Sequence, residues 1–326
     1  MSYYFFIPCA FIIIFMQFPF SVLEKTDFDA VGFGTNAVDF LIRVPEYPAY
    51  ASKIELADYI QAAGGEVATT MSGLQRLGMK TAYAGRFGDD DAGSFGIETL
   101  RKEGVDVRFA EVVTGASTQI AFIVIDIRSG ERTVIWKRDA KLSYTPDEAD
   151  LNLVNSTKIL HMTPHDAYAC TRLAEAAQEA GTIVSLDIDN IFDGVEDLLR
   201  RTDILIASTE LAEKMFGVTD AKAALKEFQS RYGSAIVGVT LGEKGSLLLC
   251  NDTFIETEGY AVPGGCMDTT GAGDAFRVGL LYGLLTGESV EVSAKMANAA
   301  AALKCREIGA RTALPNKDEL NDLITS

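Results

Sequence analysis

From about residue 157 onward the chain repeats one unit: a short apolar run rich in β-branched residues, then a stretch with helical spacing. Ile159-Leu160-His161-Met162 leads into a helical pattern over 171–180, Ile183-Val184-Ser185-Leu186-Asp187 into one near 195, and Ile204-Leu205-Ile206-Ala207 into another. Parallel strands need a crossover between them, and a helix is the usual crossover. The pattern predicts an α/β fold with a doubly wound, mostly parallel sheet, whose ligands bind outside the carboxyl ends of its strands. Residues 235–240 read as a further strand that runs into a hairpin.

The N-terminal half opens on a buried strand, Asp29-Ala30-Val31-Gly32-Phe33-Gly34. Gly32 to Ala37 matches the G-x-G-x-x-A dinucleotide fingerprint, which requires a helix directly afterwards. The strand formers of 38–44 and the prolines Pro45 and Pro48 do not supply one, so a dehydrogenase reading is disfavoured. Residues 67–77 have helical spacing and close at Gly78, 81–85 form a short strand, and 93–103 form a helix ended by Gly104. Two apolar runs within 119–136 flank Arg128-Ser129-Gly130-Glu131, a hairpin signature. With the extended stretch 38–60 they predict a small second sheet, outside the main one and lying over it as a lid of about 38–62 and 115–138.

Acidic residues outnumber basic ones 46 to 29, and the net charge of −17 excludes a nucleic-acid coat, which needs a basic face. Five scattered cysteines without a C-x-x-C, and two histidines, argue against a disulfide framework or a histidine-built metal centre. A cytoplasmic enzyme acting on metabolites is the expectation. Residues 1–23 stand apart because they carry no charge. They are long enough for a membrane span, yet lack a basic flank and are interrupted by Pro8 and Pro19. A membrane anchor, an appendage, or a start placed upstream of Met16 are three open readings, and 24–326 are expected to form the enzyme without them.

The chemistry concentrates in Asp268-Thr269-Thr270-Gly271-Ala272-Gly273-Asp274-Ala275-Phe276, followed by an apolar helical pattern through 285. The glycines permit a tight turn whose amides approach a ligand, and the start of a helix aims unpaired amides at the same point. Such a turn suits a transferring phosphoryl group. Asp274 could accept a proton from an attacking hydroxyl, or could simply cap the helix.

This string resembles the signature of the ribokinase-like (PfkB) carbohydrate kinases. Gly64-Gly65 with Arg76-Leu77-Gly78 resembles the family's glycine-pair signature, and Thr240-Leu241-Gly242-Glu243-Lys244-Gly245 its nucleotide segment. The resemblance spans about 29–315 and implies a Rossmann-like main domain with a β-sheet lid. It implies ATP as phosphoryl donor, a sugar or sugar acid as acceptor, Mg2+, and a homodimer through the lid. A nucleoside kinase of the same fold and a non-catalytic sugar or nucleotide sensor are the alternatives.

By the same resemblance Asp274 is the general base, and Gly271, Ala272 and Gly273 supply the anion hole. Thr240, Gly242, Gly245, Ser208 and Asn298 belong to the ATP site, with Asn298 near the adenine or else a small polar residue of a core helix. Asp39, Gly64, Gly65, Thr69, Arg138 and His165 fall on the sugar side. Thr69 stands where relatives usually carry asparagine, and Arg138 is either a carboxylate binder or a solvated hairpin residue. Glu210, in Ser208-Thr209-Glu210, is the candidate for organising Mg2+ through water. Asp268 and Thr270 fall where relatives bind a monovalent cation, so potassium is a candidate, although Lys304 lies near the same loop.

Overall fold

The computed structural model describes residues 16–128 and 132–326. The turn of the expected hairpin at 129–131, and most of the apolar N-terminal stretch, lie outside the described residues. Thirteen strands are described: β1 (Phe28–Phe33), β2 (Ala37–Val44), β3 (Asp58–Gly64), β4 (Thr81–Gly88), β5 (Asp106–Val113), β6 (Ile120–Asp126), β7 (Arg132–Lys137), β8 (Thr157–Met162), β9 (Ile183–Ile188), β10 (Ile204–Ala207), β11 (Ile236–Thr240), β12 (Ser246–Cys250) and β13 (Thr253–Thr257).

Nine of them form one sheet in the order β13-β12-β11-β10-β9-β8-β1-β4-β5, parallel from β11 to β5 and antiparallel at β12 and β13. Its central strands are apolar runs because both faces are covered. Val31, Leu160 and Val184 join one core with the helices Ala167–Ala180 and Ala221–Tyr232. Ala30, Ile159 and Ile183 join the other with Glu66–Arg76, Ala272–Leu285 and Val290–Lys304. This is the doubly wound α/β architecture expected from the alternation. The strand at the dinucleotide-like glycines also follows expectation, since Ala37–Val44 is β2 and no helix opens there.

The second sheet runs β3-β2-β6-β7. β2 pairs antiparallel with β3 and parallel with β6, and β6 pairs antiparallel with β7. Strand alternation divides its faces: Asp39, Ala121, Ile123, Val134 and Trp136 border a cavity, whereas Phe40 and Phe122 stack on the opposite side at 5.3 Å. Met16, Phe18, Phe20 and Val22, the described end of the apolar leader, pack on the second core. There the Met16 amide donates to Glu291 (3.0 Å) and the Met16 carbonyl accepts from the Val290 amide (2.8 Å). Among the described residues no helix is long and apolar enough to cross a membrane.

Helix Ala272–Leu285 positions the site, and glycines set its depth. A Cβ at Gly279 would lie 2.5 Å from Ala297 Cα and closer still to the Met296 carbonyl, and one at Gly283 would strike Ser293. Because the obstacle at Gly279 is backbone, Gly279→Ala must push two helices apart. It is expected to destabilise the protein by about 1–3 kcal/mol, read as a lower urea midpoint.

Candidate active site

A cavity of about 1430 Å³ lies between the carboxyl ends of the parallel strands and the second sheet. The residues just beyond β1, β9, β10 and β11 border it: Thr35, Asp189, Ser208 and the turn after Thr240. Its floor is the string 269–274. Gly271 is the N-cap of helix Ala272–Leu285 with φ 79°, and a Cβ there would meet Ala310 at 2.8–2.9 Å, so both the dihedral and the space require glycine. No side chain caps this helix. Asp274 sits in its first turn, beside amides that lack a carbonyl partner within the helix.

The turn is held from beneath. Asp268 Oδ1 accepts from the Thr270 amide (2.8 Å) and hydroxyl (2.7 Å), while Oδ2 accepts from the Gly309 amide (2.8 Å). Burial would raise the pKa of this carboxyl, but Lys304 and the amides of Gly309 and Thr270 outweigh burial and hold it below the ordinary range.

Asp274 shows the opposite balance. Burial, then the Asp187 and Glu66 carboxylates, push its pKa well above the ordinary carboxylate range, with Arg277 opposing them. Arg277, one turn along the same helix, pairs with Asp187 and donates to the Ile206 carbonyl (3.1 Å). Burial also raises Asp187 to about 7, against the pull of Arg277.

At one end of the cavity stand Thr240, Gly242, Gly245, Ser208 and Asn298. Gly245 has φ 100°, and a Cβ there would strike the backbone of 257–259. Asn298 Nδ2 donates to Ser246 Oγ (3.0 Å) and the Thr257 carbonyl (3.3 Å), and Ser208 Oγ accepts from the Leu211 amide (3.1 Å). At the other end stand Asp39, Gly65 and His165. Gly64 lies just behind, against the Asp39 carboxylate. The His165 ring packs on Phe192 at 4.9 Å and faces Trp136 edge-on at 6.1 Å; burial, with Arg138 adding to it, lowers its pKa to about 4, so the imidazole is neutral at pH 7.

Four expected residues stand elsewhere. Thr69 is fully buried beneath Arg311, which donates to Thr69 Oγ1 (3.4 Å) and to the Gly64 carbonyl, so its short side chain does not border the cavity. Arg138 is turned away into a bidentate pair with Asp166 (2.7 and 3.2 Å) and a bond to the Leu142 carbonyl (2.9 Å). Glu210 lies in the first turn of helix Thr209–Phe216, off the cavity wall, and the Asp268 carboxylate is spent on protein donors. Sequence reasoning missed Arg277, Glu66 and Arg132, all bordering the cavity. An arginine inside the otherwise apolar helix after Asp274 was a readable signal. Arg132, at the start of β7, reaches Thr269 Oγ1 only through the tertiary fold.

An α/β enzyme with helices on both faces of a mostly parallel sheet, and a long cleft over a glycine turn at a helix start, is the class that this fold and site define. The chain belongs to the pfkB family of carbohydrate kinases, whose pattern it matches over residues 29–317. It is 30% identical over 321 residues to an Arabidopsis thaliana protein named "Probable fructokinase-3", with 89% of each chain covered. The fold recurs in Arabidopsis thaliana ribokinase complexed with ribose and ATP (TM-score 0.79, 24% identity, 92% of this chain and 99% of that one). It recurs also in a fructokinase double mutant of Vibrio cholerae O395 bound to fructose, ADP and potassium (TM-score 0.74, 25% identity, 92% and 100%).

Asp39 offers a test that needs no substrate. It is only 5% exposed, and burial raises its pKa to about 6 despite Arg311. The folded state therefore binds this proton more tightly than the unfolded chain. Its ionisation costs stability as pH rises from about 4 through 6, and the full cost applies above that. Asp39→Asn is expected to exceed the parent in stability by about 1–3 kcal/mol at pH 8, with the gain vanishing near pH 4, in urea titrations at the two pH values.

Proposed function

We propose that this carbohydrate kinase transfers the γ-phosphoryl group of ATP to a hydroxyl of a small sugar or sugar acid, with Asp274 as general base. The supporting observation is the position of Asp274. Its carboxylate shares the first turn of helix Ala272–Leu285 with the Gly273 amide, which has no backbone partner among the described residues, and borders the same cleft as Asp39 and Asn298. The acceptor hydroxyl, held at the Asp39 and Gly65 end, attacks phosphorus as its proton passes to Asp274. The bond to the bridging oxygen breaks and its electron pair leaves with ADP. The amides of Gly271 and Gly273, which have no backbone partner among the described residues, face the charge that develops on the phosphoryl oxygens, whereas the Ala272 amide donates to the Thr269 carbonyl (3.1 Å), so catalysis rests on positioning and electrostatics. A base whose pKa is raised above the ordinary carboxylate range by burial holds an accepted proton more readily than an ordinary carboxylate.

The nucleotide occupies the end bordered by Thr240, Gly242, Gly245, Ser208 and Asn298. Among the described residues no three histidines, cysteines or carboxylates converge as a metal cage. Mg2+ fits nonetheless as an ion carried by the ATP phosphates, because it needs only one or two carboxylates and keeps its waters. Glu66 and Asp189 border the cavity and would serve it in place of Glu210. When bound, Mg2+ neutralises phosphate charge.

ADP release measured over a panel of sugars, sugar acids and nucleosides tests the reading. Turnover of one sugar is expected, with Asp274→Asn about 10²–10⁴-fold slower while the protein still binds ATP. Equal turnover by both proteins would remove Asp274 from its role. A preference for nucleosides would move the acceptor class, and binding of sugar and ATP without turnover would favour a sensor.

The outer face of the second sheet leaves Tyr59, Phe122 and Ile135 exposed by 65%, 41% and 57%. Pairing of two lids would cover this apolar face. A dimer is expected in sedimentation, and Ile135→Asp is expected to yield monomers; a monomeric parent at high concentration would exclude the pairing.

A further inference from the structure

Lys304 ends the helix Val290–Lys304 and has no exposed surface. Its ammonium donates to the Asp268 carbonyl (2.9 Å) and the Glu307 carbonyl (3.4 Å), and it lies 3.8 Å from Asp268 Oδ2. Those two carbonyls belong to the two segments that build the anion turn. Asp268 opens the turn, and Glu307 leads to Gly309, which donates to Asp268 Oδ2, and to Ala310, which packs on Gly271. A buried charge is costly unless paired, and an apolar side chain would fill this space at no such cost. The ammonium must therefore supply what packing does not: a positive charge that gathers carbonyl oxygens.

A potassium ion does the same chemistry, with one positive charge surrounded by carbonyl oxygens. The residues expected to hold a monovalent cation do not fit one in this chain. The Asp268 carbonyl already accepts from Lys304, the Asp268 carboxylate is committed to Thr270 and Gly309, and a second cation would face the Lys304 charge. Arg132, which reaches Thr269 from the second sheet, adds further positive charge near the loop.

We infer that Lys304 is a built-in cation: its ammonium ties the 268–271 turn to the 307–310 loop in place of a monovalent ion, so the anion turn forms without potassium. Lys304 is thus a positioning residue, acting through the turn that holds the phosphoryl group. Its effect on rate rests on the kinase reading; its effect on cation binding does not.

The experiment compares the full chain in potassium, sodium and choline chloride at equal ionic strength, by thermal melting and by ADP release with the preferred sugar. The parent is expected to melt at one temperature in all three salts and to turn over at rates equal within about 2-fold, because a protein gains stability only from an ion it binds. Lys304→Ala is expected to be slower, to melt higher in potassium than in choline, and to recover at least ~10-fold of rate with potassium, since the ion restores the missing charge. Lys304→Met keeps the volume without the charge and is expected to be slow and unresponsive to potassium; a purely packing role would make it the better variant. A parent that melts higher in potassium, or needs it for turnover, overturns the inference, as does a fast alanine variant indifferent to salt. Should neither variant fold, the melting of the parent decides. A parent that releases no ADP in any salt counts against the kinase reading, and its melting still decides the role of Lys304.

Discussion

The carboxylate of Asp268 is the contact on which the rest of the site depends. It gathers the Thr270 amide and hydroxyl on one oxygen and the Gly309 amide on the other. That brings two distant loops into one support beneath Gly271, whose left-handed dihedral then starts the helix in a fixed direction. Asp274 and the free amides inherit their positions from this helix start. The same helix is pressed against Val290–Lys304 through Gly279 and Gly283, so the turn stands on a rigid element.

Charge is distributed with similar economy. The chain carries a net charge of −17, and on the proposed function its anion turn uses backbone amides and needs no cluster of lysines. Carboxylates gather around the floor of the cleft instead, and Arg277 holds the group together by pairing with Asp187 beside Asp274. Burial disfavours their charged forms and the neighbouring carboxylates add to it, which is why both Asp187 and Asp274 are pushed upward. On the proposed function, Mg2+ carried by ATP would bring positive charge to this group of carboxylates.

Much of this was readable locally. A parallel strand buried on both faces must be a continuous apolar run, so β8, β9, β10 and β11 announced themselves. The prolines after β2 ruled out a dinucleotide helix, and β2 is a strand. That 38–60 and 119–136 share a small sheet was readable, but the parallel pairing of β2 with β6 was not, because it joins segments about eighty residues apart and leaves no local mark. Arg277 was legible in principle as an arginine in an apolar helix; Arg132 and Arg311 were not, because their partners come from remote parts of the chain.

The sequence by itself determined the order of strands and helices and the glycine turn and helix start of the 268–276 string, because backbone preference, apolar periodicity and the need for glycine act over a few residues. Only the tertiary structure decided which polar side chains face the cleft and which face one another. Arg138 and Thr69 looked equally available on paper, yet Arg138 is taken by Asp166 and Thr69 lies beneath Arg311. Lys304 is likewise taken by the Asp268 loop. An ion pair or a buried hydrogen bond depends on distances between atoms that are far apart in the chain, and those distances exist only once both sides of the sheet have packed.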